Sequence, residues 1–444
     1  MTCTYTIMCI PAGLQNMHRI LRFCRSWKQR INIGGNTRYG NSSHRFDRGK
    51  VTNSRKQRPS TLLCRLSPQA ATSSSLVFTR APWVRIGRLR SRTLDTCGNI
   101  GQIAMEENSE RSNLSWSSTY SYTTDLHPDT IEFSPSSHIA LCGSYELNEI
   151  TGIRCGSLYS FSSKEGLDFF VDGNYLCPGV LDLSWVDNNT VLSAHADGTL
   201  GVWLLDGLAM RPCFYEVHPG YGNVHLWELT QGIASTPVKI RAFCAHQFEA
   251  WCSSVDSLQD HVFYSGGDDG LCHMWDTRQL SHAVCTLKHE MGVCSVRNHP
   301  TLLNIISTGS YDECLRVWDL RMVRTSTTGS VTAPSTPLSS CTVGGGVWRH
   351  KWSPSGDWIL VAAMSAGFAT AKLISPTVTD AAKGDCFTMS IHPAGRFRSS
   401  AQLAYGIDWV EQPTFHASTR RWIVGTCSFY DNRVDFSQLL MTPT

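Results

Sequence analysis

No two of the 18 cysteines lie within four residues of each other. That excludes C-x-x-C redox pairs and zinc-knuckle spacing. The first thirteen residues are fairly apolar but have no positive charge ahead of them, so they make a poor secretion signal. Scattered reduced thiols in a cytoplasmic protein follow from the two absences together. Several sit in strand-like runs, where cysteine packs as a small hydrophobe. Long apolar runs are missing too. "WILVAAM" is among the longest, far short of the roughly 18 residues that mark a membrane span. A soluble chain with no membrane partner is expected. Nor is there a G-x-S-x-G, the nucleophile elbow of α/β-hydrolases.

Acidic residues are nearly absent from the first hundred positions. Asp47 and Asp95 stand there against 18 Lys and Arg, a balance of about +16, while the whole chain carries only +3. The rest of the chain is therefore acidic, with 21 basic and 34 acidic residues. Runs such as "SRKQRPS" and "RIGRLRSRT" show no sustained periodicity. Residues 1–115 are expected to be a disordered basic arm, with a targeting segment or excess translated sequence as alternatives. Nucleic acid is not expected as a partner, because phosphate binding needs Lys and Arg on the folded face.

What the chain does have is a repeat. "YSGGDDGLCHMWDTR" (264–278) aligns without a gap on "STGSYDECLRVWDLR" (307–321). His246 falls on His289, Ser265 on Thr308, Asp269 on Asp312 and Trp275 on Trp318, every pair 43 residues apart. These residue types form a hydrogen-bonded set: Asp accepts, His relays, Ser or Thr bridges, and the indole N–H donates. Such a set pins a four-stranded sheet. Period and Trp-Asp dipeptide mark an all-β, WD-repeat β-propeller. On that reading Asp268, Asp269 and His273 are architecture, and no metal or cofactor is expected.

Weaker copies extend the count to seven blades over 125–436. "TIEFSPSSHIALCGSYEL" begins a first and "VLDLSWVDNNTVLSAHADGTLGVW" gives a second. Trp203 and Trp227 are only 24 residues apart, so a third blade lacking two strands is expected. Residues 322–342 read as a Ser/Thr/Pro linker, 376–400 as a polar insertion, and Ser437 stands where the last blade should have Trp.

"AHQFEAW", "YSGGDDGLCHMWDTR", "MGVCSV", "GSYDECLRVWD", "GGGVWRHKWSP", "YGIDW" and "TCSFYD" occur in that order. The series resembles the diphthine methyl-esterase family, the WD-repeat proteins of diphthamide biosynthesis. The resemblance covers 125–436 and implies one protein substrate, translation elongation factor two. Its modified histidine carries a trimethylammonium group and a methylated carboxylate, whose ester is hydrolysed. The rival reading is a non-catalytic WD-repeat adaptor. The fold alone does not choose between them. A monomer is expected in either case.

Propeller geometry turns the start of each innermost strand toward the channel mouth. By register, Trp251 matches Cys294 and Trp348 matches Tyr405. Trp251, Trp348 and Tyr405, with Glu249 and Asp408, are therefore the candidate substrate-binding residues, a composition that suits a quaternary ammonium. Ester hydrolysis needs an activated nucleophile and oxyanion donors. Cys294, Ser295, His289 and Arg349 are the nearby candidates, although the repeat already gives His289 a structural role.

Overall fold

The computed structural model describes residues 4–9 and 114–441, apart from short stretches chiefly at 217–221, 230–236, 326–330, 375–388, 398–402 and 413–418. Most of the basic arm lies outside the described residues. Among the described residues antiparallel strands dominate, with one 3-10 turn at Leu320–Met322. Among the described residues no helix is long and apolar enough to cross a membrane.

Among the described residues six sheets have four or more strands each. Blade one runs from Pro128–Phe133 outward to Phe169–Pro178, and blade two from Val180–Trp185 to Ala209–Glu216. Blades four, five and six start at Ala250–Val255, Val293–Asn298 and Arg349–Trp352. Blade seven runs Ala404–Gln412, Arg420–Ser428, Arg433–Met441, and its outermost strand is Leu114–Thr123 from the other end of the chain. That strand moves the folded boundary ahead of the expected residue 125.

The short third unit has two strands of its own, Asn223–Leu229 and Val238–Cys244. Thr4–Cys9 pairs antiparallel with the first of them, from Thr4 opposite Leu229 to Cys9 opposite Val224. The half-blade thus becomes a three-stranded sheet by borrowing from a segment expected to be disordered. Two expected insertions are also corrected in part. Ser339–Thr342 is the outer strand of blade five and Ser390–Phe397 that of blade six. Each satisfies backbone groups that the preceding strand would otherwise leave unpaired.

Apolar clusters fill the space between neighbouring sheets. Leu141, Leu158, Val180 and Trp203 join blades one and two. Trp227 packs with Leu192 and Val202 of blade two, and Val224 and Leu226 with Phe263 and Trp275 of blade four. Similar clusters join four to five, five to six, six to seven, and seven to one. Stability is therefore spread over several seams between sheets rather than held in one core.

In blade four the repeated polar residues form one hydrogen-bonded set. His246 reaches Ser265 Oγ at 2.8 Å and Asp269 Oδ1 at 3.0 Å, and Trp275 Nε1 donates to Ser265 Oγ at 2.9 Å. His246, Asp269 and His273 stand close enough to hold an ion. Both nitrogens of His246 are nonetheless used within the set, and His273 Nδ1 pairs with Thr286 Oγ1 at 2.9 Å.

Blade five departs from the pattern. Thr308 Oγ1 joins His289 Nε2 and Trp318 Nε1, each at 2.8 Å. Asp312 is paired with Arg316 at 2.8 Å and not with His289 as expected. The cause is in the register, where Arg316 replaces His273 and its cation captures the carboxylate. Blade two supplies its imidazole differently again. His195, two residues after Ser193 on the same strand, contacts Ser193 Oγ, which also accepts from Trp203 Nε1 at 2.8 Å. The turn after each Asp needs a left-handed residue. Gly270 fills it at φ +74°, whereas Glu313 and Asn432 carry side chains there at 69° and 52°.

Candidate functional site at the channel mouth

The innermost strands share one irregularity. Blades one, two, four, five and seven each carry a bulge at the second residue: Asp129, Leu181, Trp251, Cys294 and Tyr405. A bulge breaks the pairing and re-aims the side chain. In blade six Trp348 occupies the corresponding place, its N–H donating to Ala362 O at 3.0 Å.

Three of these residues lie together. Trp251 and Trp348 lie 5.7 Å apart between ring centroids, and Trp348 stacks on Tyr405 at 4.7 Å. Blade five stands between the two tryptophans, and the small side chain of Cys294 leaves them room to touch. Tyr311 closes the group, 6.4 Å from Trp251 and 6.0 Å from Trp348. The three are not equally open. Trp251 is half-buried, Trp348 is 8% exposed and Tyr405 is fully buried, so Trp251 is the most exposed of the three.

Each mouth tryptophan donates its indole N–H to a carboxylate: one is Asp268, expected only as part of the repeat, and the other is Asp129, which the sequence did not single out. Trp251 Nε1 bonds Asp268 Oδ1 at 3.2 Å, and Trp348 Nε1 bonds Asp129 Oδ1 at 3.4 Å. Burial raises both acids. Asp129 is pushed up to about 6, although Arg349 beside it pulls the other way. For Asp268 burial raises the carboxyl and the Trp251 hydrogen bond opposes it.

The other candidates are placed less favourably. Glu249 is buried, and its backbone carbonyl accepts from the Asp268 N–H. Asp408 lies three residues beyond Tyr405, about 10 Å by strand rise. There it accepts from Phe133 N–H at 2.8 Å and faces Lys351 at 3.8 Å, a cation already held by Glu132 at 2.5 Å. Asp408 belongs to the channel wall rather than the mouth. Arg349 crosses the channel to Asp182 and to Leu181 O at 2.5 Å, with Asp129 at 3.6 Å.

Of the proposed nucleophiles, Cys294 is at the mouth, but burial drives its thiol well above the usual range. A protonated thiol is a weak nucleophile. Ser295 Oγ accepts from the His350 N–H at 3.2 Å, and His289 is bound to Thr308 with its pKa lowered by burial to about 4. None of these three is poised for catalysis. Asp129 could have been found in the sequence by extending the mouth register to "PDTIEF", where it is the second residue of the strand.

The WD domain, G-beta repeat family matches residues 237–276 and 282–319. A diphthine methyltransferase of Mus musculus is 30% identical over 350 residues, 64% of this chain and 68% of its own length. A diphthine methyltransferase homologue of Dictyostelium discoideum is 26% identical, covering 69% of this chain and 95% of its own. A diphthine methyltransferase of Saccharomyces cerevisiae is also 26% identical, over 66% and 91%. Among solved structures, a chain of a mitotic checkpoint complex superposes with a TM-score of 0.50 at 13% identity, covering 79% of this chain and 99% of that one. That likeness is one of fold. With its propeller, its ordered motifs and a relative at this identity, the chain belongs to the WD-repeat family of the diphthine methyltransferases.

Proposed function

We propose that the chain acts in diphthamide biosynthesis as a carboxylic-ester hydrolase. Its substrate is translation elongation factor two carrying methylated diphthine; its products are diphthine and methanol, which leaves the carboxylate free for the final amidation. The observation that carries this reading is the mouth itself, where two tryptophans each donate an indole N–H to a carboxylate. A trimethylammonium group is attracted by ring faces and by anions alike. The ester lies on the same modified side chain, so the group that hydrolyses it has to stand beside the group that holds the cation. The reaction needs water, a base and donors to the oxyanion, all of which a protein can supply from its own side chains. We further propose that the three-stranded sheet completes a seven-sheet ring, and that the protein works as a cytoplasmic monomer without a cofactor.

The adaptor reading draws on one observation, the burial of Trp348 and Tyr405 against each other. Purified protein incubated with the methylated factor separates the two readings. Methanol release at turnover supports the hydrolase, and folded protein that binds the factor without releasing methanol supports the adaptor.

A further inference from the structure

Two carboxylates hold the two mouth tryptophans, and their settings differ. Asp268 sits in the turn of blade four beside Trp251, the more exposed of the two rings, and Asp268 and Trp251 are both half-buried. Asp129 is on the innermost strand of blade one, 2% exposed, and accepts from the indole N–H of Trp348, whose ring stacks on Tyr405. Arg349 faces it from blade six and Asp182 from blade two. Tyr405 approaches from blade seven, and Cys142 and Tyr145 of its own blade complete the surroundings. The Tyr405 hydroxyl is buried with no hydrogen-bond partner among the described residues. A buried donor of that kind is uncommon unless something else uses it.

Resting on the hydrolase reading, we propose a division of labour at the mouth. Asp268, with Trp251, binds the trimethylammonium group; Asp129 is the general base that activates water; and the Tyr405 hydroxyl donates to the oxyanion. Water loses a proton to the Asp129 carboxylate as its oxygen bonds to the ester carbonyl carbon. The tetrahedral oxyanion accepts a hydrogen bond from Tyr405. On collapse the carbon–methoxy bond breaks, and the Asp129 proton goes to the leaving oxygen, giving methanol. The carboxylic acid product ionises to solvent. Two acids in one site are thus pushed to different tasks by burial. The base needs a pKa near the working pH, and burial brings Asp129 to about 6.

The test is steady-state kinetics on full-length protein with the methylated elongation factor. Asp129→Asn keeps an acceptor for the Trp348 indole and removes the base. Its kcat should fall about 10²- to 10⁴-fold with KM little changed, and formate should restore part of the loss. Asp268→Asn should raise KM by roughly tenfold with kcat nearly kept. Tyr405→Phe deletes one oxygen, and kcat should fall about 10²- to 10³-fold without loss of thermal stability. Wild-type kcat should rise with pH through about 6, and that limb should vanish in Asp129→Asn. An active wild type with a folded Asp129→Asn variant at more than half its rate would overturn the assignment and leave the hydrolase reading intact. If Asp129→Asn does not fold, an unchanged kcat in Tyr405→Phe together with a flat wild-type pH profile would overturn it. A folded wild type that binds the factor and releases no methanol would overturn both.

Discussion

Thr308 is the sharpest point at which to perturb the fold. Its hydroxyl is fully buried and joins His289 Nε2 to Trp318 Nε1, both at 2.8 Å. Thr308→Val keeps the volume and removes the bridge, leaving an indole donor and an imidazole nitrogen buried without a partner. Each such group costs about 1–3 kcal/mol, so the variant should lose roughly 2–6 kcal/mol. Thr308→Ser keeps the hydroxyl and loses one methyl group. It should cost only about 0.5–1.5 kcal/mol, because Ser265 makes the same two bonds in blade four. The assay is urea unfolding, with the midpoint and slope compared across wild type and both variants. The slope should stay constant, and Val should shift the midpoint about fourfold more than Ser. A Val variant no less stable than Ser would refute the claim that the polar set pins the blade.

Trp275→Ala and Trp318→Ala should each cost about 3–5 kcal/mol, read as lower thermal stability; unchanged unfolding in both would contradict the architecture. At the mouth, Trp251→Leu should weaken binding of the methylated factor by roughly 2- to 30-fold, measured by titration, with little change in stability. Tyr405→Leu, by contrast, should lower stability as well, since its ring is fully buried. His195, His289 and His350 are lowered by burial to about 4, 4 and 3. In that range the unfolded chain binds more protons than the folded one, so stability falls as pH drops from about 6.5 toward 4. Asp129 and Glu132, both raised by burial, bind protons earlier in the folded state and offset part of this. A net loss of a few kcal/mol between pH 7 and 4.5 is expected in urea midpoints; a constant midpoint would contradict it.

The register of 43 residues was legible because the polar set tolerates few residue types. It located Trp251, Trp348 and Tyr405 together, and the structure brings their rings into contact. What the register hid was who pairs with whom. Asp312 looks like Asp269 in the sequence, yet Arg316 at the position of His273 takes it away from His289. The channel acids were missed for a different reason. Asp129 and Glu132 lie in one of the weaker copies of the repeat, and their partners Arg349 and Lys351 are some 220 residues away. The strand at Thr4–Cys9 was invisible in the same sense. Its partner Asn223–Leu229 is chosen by the gap in a half-built sheet, which no local pattern announces.

The direction of the chemistry is tested most directly by running the reaction in heavy-oxygen water and weighing both products. If the chain is the hydrolase, the elongation factor loses one methylene in mass and gains one heavy oxygen in its new carboxylate, while the methanol released is unlabelled. A factor whose mass does not change in the presence of folded protein, or that gains a methyl group when a methyl donor is added, would contradict it.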